Sequence, residues 1–174
     1  MQAALDNRDT MSNTTSPSSA PTATTFSDFS LDERILRAIA DAGYTSPTPI
    51  QAQAIPVVLS GQDVMGSAQT GTGKTASFVL PILQKILPLS STSTSPARHP
   101  VRALVLCPTR ELAVQVADNA HTYAKHTDIR TAVVFGGVDI KTQTPAVRAG
   151  VELLIATPGR LLDHLEQRNV SLGQ

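Results

Sequence analysis

From Phe26 onward the apolar positions follow two alternating rhythms. Leu31, Ile35, Leu36 and Ile39 fall on one face of a helix expected over 31–42. A second apolar helix is expected over 50–59, with Pro56 bending or interrupting it. Residues 63–66 read as a short strand and 74–87 as a helix kinked near Pro81. The continuous apolar run at 101–107 predicts a buried strand. It is followed over 110–125 by a helix carrying Leu112, Val116 and Ala120 on one face. Strands over 130–135 and 151–156, and a helix over 160–167, complete the series. Strand and helix in alternation predict an α/β fold with a parallel sheet, in which ligands sit at the carboxyl ends of the strands.

Two stretches break the pattern. Residues 1–25 are mostly Ser, Thr, Ala, Asn and Pro. They offer too little apolar surface to offset the entropy of ordering, so a disordered leader is expected there, with one domain over 26–174. A second polar tract over 90–100 reads as an exposed loop between helix and strand. Fourteen basic residues balance fourteen acidic ones, so net charge neither demands nor excludes a nucleic-acid partner. Cys107 is the only cysteine, which excludes an intrachain disulfide, and its apolar setting suggests a buried strand residue. No run reaches the roughly eighteen apolar residues of a membrane span, and no basic-then-apolar signal opens the chain. A cytoplasmic protein without a membrane partner is the expectation. His99, His121, His126 and His164 lack ligand spacing and are read as solvated, and Asp163 and Glu166 as ordinary helix carboxylates.

The chemistry begins after the first expected strand. Ala68-Gln69-Thr70-Gly71-Thr72-Gly73-Lys74-Thr75 fits the phosphate-binding loop G-x-x-x-x-G-K-[ST], except that Ala68 replaces the first glycine. Glycines let successive N–H groups converge on a phosphate, and the helix start behind them adds positive potential. Lys74 is expected to reach the β- and γ-phosphates. The Thr75 hydroxyl is expected to hold Mg²⁺ together with phosphate oxygens. This places the chain among the P-loop nucleotide-binding folds, with a nucleotide and Mg²⁺ as the expected ligands; the loop alone does not choose the base.

Upstream lies Gly43-Tyr44-Thr45-Ser46-Pro47-Thr48-Pro49-Ile50-Gln51, with Phe26 seventeen positions before Gly43. A glutamine amide can both donate to and accept from the N6/N7 edge of adenine, and an aromatic ring can stack on a base. Here the chain resembles the DEAD-box helicases, whose Q motif has this composition and this distant aromatic. The resemblance implies that Gln51 selects adenine, that Phe26 (rather than Phe29) stacks on it, and that Thr48 and Tyr44 shape the pocket. Pro108-Thr109-Arg110-Glu111-Leu112-Ala113 is similar to the family's motif Ia, Gly136-Gly137 to its GG motif, and Thr157-Pro158-Gly159-Arg160 to its motif Ib. Strand ends joined to helix starts offer N–H groups, hydroxyls and guanidinium groups to phosphates. Contacts of this kind would follow a backbone without reading bases, and the resemblance implies that the backbone is RNA, held by Pro108, Thr109, Arg110, Gly136, Gly137, Thr157, Gly159 and Arg160.

The segment 95–138 looks most like the bacterial RhlE-type branch. The implied fold is the first RecA-like domain of an ATP-dependent RNA helicase. The family pattern continues with Asp-Glu-Ala-Asp, Ser-Ala-Thr and a second RecA-like domain, none of which occurs in these 174 residues. On that reading the chain alone is an incomplete domain, expected to be hydrolytically inactive and not to fold stably by itself. A non-hydrolysing ATP- or RNA-binding module is the alternative. Another P-loop enzyme, such as a small-molecule kinase, is disfavoured by the upstream glutamine and aromatic.

Overall fold

The structure is a computed structural model that describes residues 25–173. The leader expected over 1–25 lies, apart from Thr25, outside them. In order, the chain forms α1 (Glu33–Asp41), α2 (Pro49–Leu59), α3 (Lys74–Ile86), β1 (Ala103–Leu106), α4 (Arg110–Ala124), β2 (Thr131–Val134), α5 (Thr144–Arg148), β3 (Leu153–Ala156) and α6 (Pro158–Glu166). The strands make a parallel sheet in the order β1-β3-β2, with Leu106 and Val134 both in register with Ala156. The three strands therefore end level with one another, and the loops that leave them emerge side by side.

β3 is the centre of the molecule. Its four residues Leu153, Leu154, Ile155 and Ala156 are all fully buried, which is why the sequence there is continuously apolar rather than alternating. Successive side chains point to opposite faces. Leu153 and Ile155 enter a core shared with α1, α2, α3 and α4, and Leu154 and Ala156 enter a second core with Val147 of α5 and Leu161 of α6. The fold is a sheet between two helical layers. Each fully buried Leu or Ile contributes about 1.5–3 kcal/mol.

Local chemistry sets the helix starts. Asp32 caps α1 by accepting from the Arg34 N–H, and Thr109 caps α4 by accepting from the Leu112 N–H. Prolines open α2, α5 and α6 at positions where a missing N–H costs nothing. Asp41 at the end of α1 ties to Lys125 and His126 after α4. Those two bonds hold its carboxyl down at about 2. No helix among the described residues is long and apolar enough to cross a membrane.

Several expectations need correction. Residues 63–66 form no strand, because a strand needs a ladder partner and these residues have none among those described; Met65 and Val64 are exposed. Pro56 does not interrupt α2, which runs through it as one helix packed on α3, and α3 likewise runs through Pro81 as the single helix expected there. On α4 the buried face is Ala113, Val116, Ala120, Tyr123 and Ala124, so Leu112 turns away from the core. The tract over 90–100 contains a short turn of 3₁₀ helix, Pro96–Arg98, and then His99, which is 1% exposed. His99 and His164 are thus core residues, not solvated ones. Each has a polar partner: Glu152, 53 residues away in sequence, for His99, and Asn169 for His164. Cys107 is buried as expected, immediately after β1, and burial pushes its thiol up.

Candidate nucleotide and nucleic-acid site

The loop before α3 owes its shape to two residues in the left-handed region, Gly71 and Gly73. At Gly73, φ is +85°, and an added Cβ would collide with the Gln51 amide and sit 3.2 Å from Thr48 Oγ1. Only glycine fits there. The Thr72 hydroxyl donates to Gln69 O (2.6 Å), closing the turn, and Lys74 is the first residue of the 13-residue α3. The backbone N–H groups of that first turn have no partners within the helix.

Gln51 joins the α2 start to this loop. Its Oε1 accepts from the Thr48 N–H (2.9 Å) and its Nε2 donates to Gly73 O (3.1 Å). The side chain is only 4% exposed, and each bond uses half of its donor and acceptor capacity. The neighbouring Thr48 Oγ1 is buried without a hydrogen-bond partner. One cleft of 480 Å³ is lined by Tyr44, Thr48, Gln51, Thr70, Gly71, Gly73, Lys74 and Thr75, with Leu112, Gln115, Asn119 and Tyr123 of α4 forming its far wall. Ala68, Gln69 and Thr72 belong to the loop but do not face the cleft. The α4 wall was invisible in the sequence, where Leu112 looked like a core position.

Phe26 does not line this cleft. It is 6% exposed in the core beneath the 3₁₀ turn Phe26–Phe29, edge-on to the Phe29 ring at 6.1 Å. The aromatic open to the cleft is Tyr44, 51% exposed, with its ring 6.4 Å from that of Tyr123. Burial, followed by the Tyr44 phenol, pushes the Tyr123 hydroxyl up to about 12.

The other three motifs gather along one edge, because β1, β3 and β2 end in register. Cys107 N–H donates to Ala156 O, and Thr157 N–H to Val134 O, carrying the ladder one residue beyond the strands. Past that point Pro108, Thr109, Arg110, Gly136, Gly137 and Gly159 are exposed. The Arg110 guanidinium lies 4.8 Å above the Phe135 ring, a cation–π contact, with Gly137 next to its Nη1. Arg160 Nη2 donates to Val138 O (2.8 Å) and Nε to Asp163 (3.3 Å), while Nη1 is buried without a partner. The N-termini of α4 and α6 open on the same edge, so donors and positive potential concentrate there.

A three-stranded parallel sheet covered by helices on both faces, with a glycine-rich loop leading into a helix that begins with Lys-Thr, is a mixed α/β fold of the RecA-like helicase-domain class. The comparisons narrow the class. A family model described as DEAD/DEAH box helicase matches residues 48–174, and the chain belongs to that family. It is 46% identical over 145 residues to "DEAD-box ATP-dependent RNA helicase RhpA" of Helicobacter pylori (strain B128), covering 83% of this chain and 28% of the relative. It is 47% identical over 148 residues to "ATP-dependent RNA helicase SrmB" of Escherichia coli (strain K12), covering 85% and 32%. The crystal structure of a hypothetical ATP-dependent RNA helicase from Sulfolobus tokodaii superposes with a TM-score of 0.68 at 35% identity, covering 80% of this chain and 38% of that one. The chain thus spans about a third or less of the length of these curated relatives.

Proposed function

We propose that this chain is the ATP-binding and RNA-backbone-binding part of an ATP-dependent RNA helicase. The observation that carries the reading is the single cleft uniting Lys74, Thr75 and the Gly73 turn with Gln51 and Tyr44. The α3 N-terminus and the loop glycines would cradle the phosphates, with Lys74 on the β- and γ-phosphates. Mg²⁺, when bound, would neutralise phosphate charge; the Thr75 hydroxyl is the protein group offered to it. The uncommitted lone pair of Gln51 Oε1 and second hydrogen of Nε2 match the N6 donor and N7 acceptor of adenine. Thr48 Oγ1, buried and without a partner, can serve the same ligand. Phe26, buried beside Phe29, does not offer its ring to this cleft.

Pro108, Thr109, Arg110, Gly136, Gly137, Thr157, Gly159 and Arg160 would hold the RNA. Contacts of strand ends and helix starts with phosphates track a backbone without reading bases. The sequence over 95–138 favours the RhlE-type branch.

The test uses the protein expressed from its complete gene. Lys74→Ala should abolish RNA-stimulated ATP hydrolysis. Gln51→Ala should weaken ADP binding more than GDP binding. Equal affinity of the unaltered protein for ADP and GDP would refute the adenine assignment, and undiminished turnover by the Lys74→Ala variant would refute the loop itself.

A further inference from the structure

Beyond β2 the chain makes a nine-residue excursion, from Phe135 to Gln143, that carries the glycine pair. Gln143 closes it. Its Oε1 accepts from the Phe135 N–H (3.1 Å) and its Nε2 donates to Phe135 O (2.9 Å). A carboxamide offers the same donor and acceptor as a peptide group, so Gln143 pairs with Phe135 as a residue of a neighbouring strand would. The position demands it. Val134 O is taken by Thr157 N–H on the β3 side. Backbone groups of successive strand residues face alternate sides, so those of Phe135 face the open edge of the sheet, where they would otherwise lack a protein partner.

The rest of the loop is fixed from other directions. Asp139 accepts from the Lys141 N–H (3.0 Å), starting the 3₁₀ turn Ile140–Thr142 that delivers Gln143 to its place. Arg160 holds Val138 O from the α6 side, and Arg110 covers the Phe135 ring. Gly136 and Gly137 are left exposed between these anchors, with open space before Gly136 and φ of +85° at Gly137. Gln143 itself is 9% exposed and cannot be a surface contact.

We propose that Gln143 is a positioning residue for nucleic-acid binding: its two-way bond to Phe135 holds the Gly136–Gly137 backbone in the shape presented to a sugar-phosphate chain. This rests on the RNA-backbone reading given above. Gln143→Met keeps the length and removes both bonds. In the protein from the complete gene, affinity for a labelled single-stranded RNA should fall at least fivefold, while nucleotide affinity stays within twofold. The Phe135 amide should exchange faster with solvent, with Leu153–Ala156 unchanged. A smaller loss of RNA affinity overturns the proposal, as does a loss shared by nucleotide binding and β3 protection, which would mean general loosening. If the methionine variant does not fold, Gln143→Glu retains the acceptor for the Phe135 N–H and is judged by the same criteria. An unaltered protein that binds no RNA would instead defeat the proposed function, an outcome read before any variant is made.

Discussion

Replacing Glu152 with Ala strips a buried charged acceptor from two donors at the point where all three strands begin. Oε1 lies 2.5 Å from His99 Nδ1, and Oε2 accepts from the Arg130 N–H at 2.8 Å. The Glu152 and His99 side chains are both 0% exposed. His99 Nε2 faces Ser93 O, which can only accept, so that nitrogen carries hydrogen and a further proton lies between Nδ1 and the carboxylate. Removing the carboxylate leaves His99 Nδ1 buried without a partner and strips the Arg130 N–H of its acceptor. Breaking a buried pair of this kind costs about 3–5 kcal/mol.

At about 1.4 kcal/mol per tenfold, hydrogen-exchange protection of the Ala103 and Leu153 amides should fall by roughly 10² to 10³·⁵. Glu152→Gln is the control. Its oxygen can accept from Arg130 N–H, and its NH₂ can donate to Nδ1 of a neutral His99, so all three bonds survive without charge. Its cost should stay within about 1 kcal/mol, a loss of protection below about tenfold. Protection in Glu152→Ala within tenfold of the unaltered protein, or an equal collapse in Glu152→Gln, would refute the reasoning.

Two further predictions concern the same half of the molecule. At Gly150, φ is +86°, and an added Cβ would sit 2.7 Å from His99 Cβ and 2.8 Å from Pro96 O. Gly150→Ala should therefore lose about 3 kcal/mol or more in urea denaturation, from backbone strain plus overlap; an unchanged midpoint would mean the Pro96–Arg98 turn yields freely. Burial, and then the Arg160 charge, hold His164 below the ordinary imidazole range. The folded protein keeps it neutral while the unfolded chain takes up a proton near about 6.5. Its contribution is thus complete above that pH and is lost as pH falls through the folded value. His164→Phe should flatten the acid limb of the stability–pH curve below about 6.5, and equal slopes in variant and parent would exclude the effect.

What could be read from the sequence was whatever is encoded locally. The strand expected over 151–156 was legible because its residues are almost all apolar, as a strand covered on both faces requires. The loop over 68–75 was legible because its glycines, lysine and threonine are contiguous, and their job depends on a turn they make themselves. The family resemblance singled out Gln51 and three short motifs, and the structure places Gln51 against the Gly73 turn and the motifs at the ends of β1, β2 and β3. The partners were not legible. His99 and Glu152 are 53 residues apart, and neither position is marked as buried by its neighbours. Leu112 has the spacing of a core residue, yet α4 is rotated so that it borders the cleft beside the Gly73 turn. Gln143 sits in a polar stretch that offered no pattern at all, and its role exists only because β2 leaves Phe135 on an open edge. Periodicity tells which residues must leave water, since that cost is paid residue by residue. Which polar groups then meet is decided by how the layers stack, because a buried donor takes the acceptor that packing brings to it.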